Sequence, residues 1–302
     1  IMKKAYGITP AAFTMWNKDE SFNEQAMQKY ITWLIDQGAQ SLSFCGSTGE
    51  NITQTMEEQK MILEKCIRFV DGQVPVYAGT GRYSTAQTIE LSKWAQQCGA
   101  DGVMTILPYY LAPHKKAVMD HFRAVRAALD IDIMIYNNPW FAGYQLEPTE
   151  AETLYKEGVV QSIKVAHGDP GLCHQFKFHT GDDFTVFYGH DYGGAESLLM
   201  GADGWLSAWP ALFPKHCRAI YDAAHDERNA NKCMELVKGM MPIRDLFLRD
   251  NENGVPHWQE KGKYILQLQL GFDTGTPRKP LGELTPEYKK KIEQAMAESV
   301  GI

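Results

Sequence analysis

The sequence predicts an α/β protein: a (β/α)8 TIM barrel over residues 1–224, followed by a C-terminal helical extension over residues 225–302. Three observations carry this expectation. Short β-branched runs alternate with amphipathic stretches from the N-terminus onward, as parallel strands joined by helical crossovers require. Eight strand candidates can be placed, and at about 28 residues per strand–helix unit they use about 224 residues. The tail beyond them has helical spacing and no convincing strand pattern. A doubly wound sheet would also accommodate the alternation, but eight units with a helical remainder select the closed barrel.

Taken in order, residues 11–15 and 41–45 read as the first two strands. Residues 56–70 read as a helix, with Met56, Met61, Ile62, Cys66, Ile67 and Val70 near helical spacing. Strands at 74–78, 102–106 and 131–136 are each followed by a helical stretch, at 85–98, 116–129 and 148–157. Three further strands fall at 159–164, 184–188 and 204–207. In the tail, residues 228–249, 257–270 and 286–298 read as helices, broken at Gly254-Val255-Pro256 and Gly275-Thr276-Pro277.

The 302 residues are 44% hydrophobic and 22% charged, which suits a globular protein and excludes disorder, collagen and coiled coil. Lys plus Arg number 30 against 37 Asp plus Glu, a formal charge of −7, so no overall positive field exists to attract nucleic acid. Residues 1–5 carry a positive tip without an apolar signal core, and no apolar run reaches the length of about 18 residues that a membrane helix needs. Cys45, Cys66, Cys98, Cys173, Cys217 and Cys233 are scattered without a CxxC pair, as reduced thiols are. The expectation is a soluble cytoplasmic protein with neither nucleic-acid nor membrane partners.

In a parallel barrel the reacting groups lie where strands end, because the loops after them form one face. After the second strand, Gly46-Ser47-Thr48-Gly49-Glu50 could hold a carboxylate on its N–H groups and hydroxyls, or be a simple turn. After the third, Gly79-Thr80-Gly81 lacks the last glycine of a dinucleotide fingerprint and reads as loop packing. Pro108-Tyr109-Tyr110 after the fourth offers phenols for packing or proton transfer. The fifth strand ends in Tyr136-Asn137-Asn138-Pro139 and the sixth in Lys164. Burial disfavours an ammonium, and the resulting free amine can attack a carbonyl carbon to form a Schiff base; a solvated lysine opening a loop is the plainer reading.

Other groups carry less. His167, Cys173, His174 and His179 cluster in sequence, but Cys173 and His174 share one helix with no matching second pair, so no metal site is expected. Asp169 reads as the cap of the helix after Pro170. His190 and Asp191 end the seventh strand as candidate substrate contacts, and Glu50 and Arg82 are candidates without a role.

Together, Gly46-Ser47-Thr48-Gly49-Glu50, Pro108-Tyr109-Tyr110, Tyr136-Asn137-Asn138-Pro139 and Lys164 with Gly168-Asp169 resemble the dihydrodipicolinate synthase and N-acetylneuraminate lyase superfamily of class I aldolases. The resemblance runs from about Gly7 to the C-terminus. It implies Schiff-base chemistry on a pyruvate-like 2-oxo acid, with Lys164 as nucleophile and Tyr136 relaying protons. It implies that Thr48 links Tyr136 to Tyr110, that Tyr110 reaches in from a neighbouring subunit, and hence a homotetramer built as a dimer of dimers. Ser47 and Thr48 would hold the substrate carboxylate. The covalent imine on Lys164 replaces any cofactor, and no metal is implied.

Departures from the family's pattern narrow the reaction. The dihydrodipicolinate synthases carry an arginine five residues after the tyrosine, where it holds the carboxylate of aspartate semialdehyde; here Phe141 stands there. The sialic acid lyases look similar at Gly189-His190-Asp191, but have an acidic residue next and a threonine two after the lysine, where this chain has Tyr192 and Ala166. The expectation is therefore a pyruvate-dependent aldolase catalysing reversible aldol cleavage. Phe141, Ser207 and Asp191 join Ser47 and Thr48 as substrate-binding residues, and Trp140, Phe141, Trp205, Ser207 and Trp209 surround a distal pocket suited to a less hydroxylated or aromatic aldehyde. The alternatives are a 4-hydroxy-tetrahydrodipicolinate synthase, a 2-oxo-3-deoxy sugar acid dehydratase and, from a different class, a catalytically silent protein that binds 2-oxo acids. A metal-dependent hydrolase on the same barrel is a further alternative, separable by chelator sensitivity.

Overall fold

Apolar and β-branched residues build eight parallel strands, and the helices between them bury one apolar stripe each against the strands' outer faces. The computed structural model describes residues 4–248 and 256–301. β1 (Gly7–Pro10), α1 (Glu24–Asp36), β2 (Leu42–Phe44), α2 (Met56–Val70), β3 (Val76–Gly79) and α3 (Thr85–Gln97) open the barrel. β4 (Gly102–Ile106), α4 (Lys115–Arg126), β5 (Asp132–Asn137), the short α5 (Pro139–Ala142), α6 (Pro148–Lys156) and β6 (Ser162–Val165) continue it. α7 (Gly171–Thr180), β7 (Thr185–Tyr188), α8 (Gly194–Leu199) and β8 (Gly204–Ser207) complete it. α9 (Ala208–Leu212), α10 (Pro214–Tyr221), α11 (Ala230–Gly239), α12 (Met241–Leu248), α13 (Trp258–Leu270) and α14 (Pro286–Glu298) follow.

The strands are ordered β1-β8-β7-β6-β5-β4-β3-β2, all parallel. The remaining seam closes through a bridge between Ala11 and Ser43, with Ala12 N–H donating to Ser43 O at 2.9 Å and Gln40 N–H to Ile8 O at 2.9 Å. Residues alternate between two cores. Ile133, Ile135, Ile163 and Val165 face the helices, whereas Tyr77, Met104, Met134, Tyr136, Phe187 and Leu206 fill the barrel interior. Gly102 and Gly204 make this interior possible, because a Cβ at either would lie 2.5 Å from the ring of Tyr77 or Phe187.

Most elements lie within a few residues of the sequence expectation, and β1 is the main displacement. It occupies Gly7–Pro10 rather than 11–15. Pro10 ends the strand, a position where its missing N–H is tolerated, and the apolar stretch after it is a buried loop rather than a ladder. α1, capped by Asn23 on Ala26 N–H, lies in a segment that the spacing left unassigned. The single helix expected over 228–249 is two, α11 and α12. They part at Gly239, whose O accepts from Val300 N–H at 2.7 Å and whose added Cβ would meet Val300 O at 2.8 Å. Arg249, the break residues Gly254 and Val255, and Ile1, Met2 and Lys3 of the N-terminal tip lie outside the described residues. No helix among the described residues is long and apolar enough to cross a membrane.

The tail helices lock onto the first barrel loops through buried charges. Glu50, 2% exposed, accepts from Trp16 Nε1–H at 2.9 Å and from Arg278 N–H at 2.8 Å. Lys263 on α13 donates to Thr14 O and, at 2.8 Å, to Thr274 O. Burial lowers the Lys263 ammonium to about 8 while Glu50 opposes the shift, and burial raises the Glu50 carboxyl while Lys263 opposes it. Arg278 lies over the Trp16 ring at 3.9 Å and pairs with Glu58 at 2.7 Å. Removing one side of such an arrangement leaves the other charge buried and uncompensated. Glu50→Ala is expected to cost about 3–5 kcal/mol, and Glu50→Gln, which keeps an acceptor for Trp16, less. Denaturant unfolding of the three chains checks this, and an unchanged midpoint in Glu50→Ala contradicts it.

Candidate active site

β5 and β6 pair in a register that sets Tyr136 beside Lys164, and both side chains point into the barrel at the C-terminal end of their strands. Lys164 Nζ lies 4.1 Å from the Tyr136 ring centroid. The lysine is 5% exposed, and among the described residues it forms no ion pair or hydrogen bond, so the ring is its electrostatic partner. Gly189, just past β7, leaves room for the aliphatic stem: an added Cβ would stand 2.7 Å from Lys164 Cγ and Cε.

A cavity of about 460 Å³ opens over Lys164. On one side it is bordered by Ser47 and Thr48, in a turn bracketed by two left-handed residues, Cys45 (φ 56°) and Glu50 (φ 60°). Side chains brace this turn: Gly49 O accepts from Thr14 Oγ1 and Gln54 Nε2, both at 2.7 Å, and Ser47 O accepts from Gln259 Nε2 of α13 at 2.9 Å. Among the described residues the N–H groups of Ser47 and Thr48 donate to no protein acceptor. Two adjacent free N–H groups at a cavity wall form a concavity for an anion. Across the cavity, Ser207 Oγ is buried and has no hydrogen-bond partner among the described residues.

Asn138 sets the tyrosine. Its Nδ2–H donates to Tyr136 Oη at 3.0 Å, while its Oδ1 accepts Phe141 N–H at 3.1 Å and so caps α5, with Pro139 in the first turn. The Tyr136 hydroxyl accepts from Asn138 and keeps its own proton to give. Asn137 fixes the same loop from behind, bonding Leu146 N–H and O at 3.0 and 2.9 Å. Asp191 Oδ1 accepts Trp209 N–H at 2.8 Å at the start of α9. His190 packs on Trp140 at 5.2 Å and Tyr192 at 4.0 Å. Burial lowers its pKa despite Asp191, so the imidazole is neutral at pH 7.

The structure thus gathers Lys164, Tyr136, Ser47, Thr48, Phe141, Asp191 and Ser207 on one cavity. Tyr110 is not among them: 90% exposed and at φ 72°, it stands on the surface after β4. Trp205 and Trp209 also fall outside the expected distal pocket. Trp205 donates to His190 O at 2.8 Å and packs behind Gly194, and Trp209 packs on Phe213 and Phe247, so both support the wall from behind. Trp140 and Phe141 do line it. Asn138 and Gly189, which the sequence reading named only within motifs and without a role, and Phe247 and Trp258 of the tail helices, which it did not name, also line the cavity. Only Asn138 had a local signal, as a helix cap before proline.

The remaining candidates have structural partners. Arg82 Nη2 donates to Gln59 Oε1 and ties the loop after β3 to α2. Asp169 Oδ1 accepts Gly171 N–H at 2.8 Å, and the His167 ring stacks on Trp140 at 6.0 Å. Among the described residues no group of three or more His, Cys, Asp or Glu is placed to hold a metal.

The profile of the Dihydrodipicolinate synthetase family matches residues 4–299. The chain belongs to this family. It is 31% identical over 291 residues to the 4-hydroxy-tetrahydrodipicolinate synthase of Rhizobium meliloti, covering 96% of this chain and 94% of that one. It is 32% identical over 295 residues to the synthase of Methanoculleus marisnigri, covering 96% and 98%. The crystal structure of dihydrodipicolinate synthase from Acinetobacter baumannii complexed with pyruvate superposes with a TM-score of 0.88 at 27% identity, covering 97% and 98%. Wild-type Ruminococcus gnavus sialic acid aldolase superposes with a TM-score of 0.90 at 22% identity over 97% and 96%, a likeness of fold. As a member of the dihydrodipicolinate synthetase family, the protein is an enzyme of the class I lyase type.

Within this dihydrodipicolinate synthetase family member, the stem of Lys164 has no slack beside Gly189. Gly189→Ala should displace the amine by up to an ångström and slow its reaction with a carbonyl substrate about 100-fold. The rate of borohydride-trappable adduct formation checks this; a rate equal to wild type contradicts it.

Proposed function

We propose that the protein is a pyruvate-dependent class I aldolase whose imine forms on Lys164. The observation that carries the reading is a buried lysine held beside a tyrosine, in one cavity with two adjacent N–H groups that donate to no acceptor among the described residues. The Ser47 and Thr48 N–H groups receive the carboxylate of a 2-oxo acid, which brings the ketone carbon to Lys164 Nζ. The amine adds to that carbon, and Tyr136 protonates the departing hydroxyl so that water leaves and the iminium forms. The iminium withdraws electrons from C3. The Tyr136 phenolate takes a proton from C3, which gives an enamine and restores the phenol; the enamine attacks an aldehyde carbon to form the new bond while the aldehyde oxygen takes the phenol proton, and hydrolysis by water frees Lys164 and returns the proton to Tyr136. Cleavage is the reverse. The covalent imine supplies the electron sink, so the cycle uses no cofactor or metal.

The assembly belongs to this proposal: a cytoplasmic homotetramer, arranged as a dimer of dimers, in which the exposed Tyr110 enters a neighbouring subunit's site and joins Thr48 in the proton relay. The exposure of Leu111 beside Tyr110 supports a contact surface there. Phe141 weighs against the synthase reaction, since a phenyl ring makes no charge-assisted bond to the carboxylate of a semialdehyde.

Incubation with pyruvate, reduction with borohydride and peptide mapping test the reading. A single reduced pyruvate on Lys164, absent from Lys164→Ala, is expected. Tyr136→Phe should lower turnover by about 10²–10⁴-fold while the fold is retained. Absence of an adduct on Lys164 overturns the proposal.

A further inference from the structure

Resting on the aldolase reading, we propose that the aldehyde half of the substrate is an aromatic aldehyde whose ring bears only neutral groups. The cavity over Lys164 is walled by Trp140, Phe141, Tyr192, Phe247, Leu248 and Trp258, with the neutral His190 between Trp140 and Tyr192. Trp140 stacks on His167 with planes 14° apart and stands edge-on to His190 at 79°. Yet Trp140 and Phe141 remain 57% and 52% exposed, an uncovered aromatic rim at the mouth of a buried reactive amine.

The polar inventory argues in the same direction. Asn138 spends both ends of its amide on Tyr136 and Phe141, and Asp191 Oδ1 is bonded to Trp209 N–H. His190 Nδ1 accepts Tyr192 N–H at 3.4 Å. Beyond the carboxylate turn, the polar groups that border the cavity without a hydrogen bond among the described residues are the Ser207 hydroxyl, the Tyr136 proton, the Tyr192 hydroxyl, His190 Nε2 and Asp191 Oδ2, and three of these five belong to rings of the wall. A polyhydroxylated aldehyde would set most of its hydroxyls against aromatic faces, and each one left without a partner there costs binding. A carboxylate on the aldehyde would face aromatic walls: among the described residues, Lys164 is the sole Lys or Arg bordering the cavity, and it is consumed by the imine.

An adjoining cavity of about 590 Å³ shares Ser47, Tyr136, Trp140, Phe141 and Trp258 with the first and gives room for the ring to extend. It continues over Ile52, Met104, Ile106, Tyr109 and Leu281. Its charged residues are already committed: Glu50 to Trp16 and the Arg278 N–H, and the Arg278 guanidinium to Glu58 and Glu20 O.

In the reaction this implies, C3 of the pyruvate enamine attacks the aryl aldehyde carbon. The aldehyde oxygen takes the Tyr136 proton, and water hydrolyses the iminium to release a 4-aryl-4-hydroxy-2-oxobutanoate. Pyruvate and aldehyde are the only reactants consumed, since the water lost on imine formation is regained. The test supplies the full-length protein with pyruvate and one of three aldehydes: benzaldehyde, D-glyceraldehyde or succinic semialdehyde. The kcat/KM of each is compared beside the trapped pyruvate adduct on Lys164. Benzaldehyde is expected to lead both others by at least about tenfold, with Trp140→Ala raising its KM more than that of pyruvate. Phe141→Arg should move the preference toward succinic semialdehyde. An adduct on Lys164 together with equal or faster use of either non-aromatic aldehyde overturns the inference and leaves the aldolase reading standing. No adduct overturns that reading, and this inference with it.

Discussion

Parallel pairing of β5 with β6 places Tyr136 opposite Lys164, and the chemistry available to the protein depends on that register. Side chains on a strand alternate with a period of two, so a slip of one residue would send Lys164 outward among the helices and bring Ile163 or Val165 into the barrel. The slip is opposed along the full length of the ladder, because Ile133, Ile135, Ile163 and Val165 are all 0% exposed against the helix layer. The lysine side chain is held in the interior by the packing of its neighbours, and among the described residues it forms no ion pair.

The turn that carries Ser47 and Thr48 has a different kind of support. Its geometry depends on residues far away in sequence: Thr14 before it, and Gln259, Lys263 and Arg278 from the tail. Glu50 closes the turn at its C-terminal end and receives bonds from Trp16 and the Arg278 backbone. Buried charges of this kind are costly to desolvate, and they impose a specific arrangement because each is tolerated only with its partners in place. The helical extension therefore does two things for the site: it fixes the turn, and through Phe247, Leu248 and Trp258 it walls the cavity.

The sequence showed the barrel wherever strand and helix periods were regular. Residues 56–70, 102–106, 204–207 and 286–298 carry that signal to the residue. It was weakest where tertiary contacts outweigh local pattern. The apolar stretch after Pro10 reads as a strand but is a buried loop closing the barrel seam, and Gly239 ends a helix because Val300 packs against it. That Lys164, Tyr136, Ser47 and Thr48 share one cavity was legible because all four stand at or just after strand ends, on one face of the barrel. Trp205 and Trp209 were misplaced because an aromatic near a strand end can face either side, and their bonds to the loop after β7 turn them into support. Gln259 and Trp258 had no local signal, since they reach the cavity only through the fold.

The central claim is that Lys164 activates C3 of a 2-oxo acid. Proton NMR of pyruvate in deuterium oxide tests it most directly, by following the methyl signal in the presence of wild-type protein and of Lys164→Ala. Loss of the signal at a catalytic rate with wild type, abolished in the variant, is the predicted result. Exchange that is absent with wild type, or unchanged in Lys164→Ala, would contradict the account and leave a protein that holds the acid without activating it.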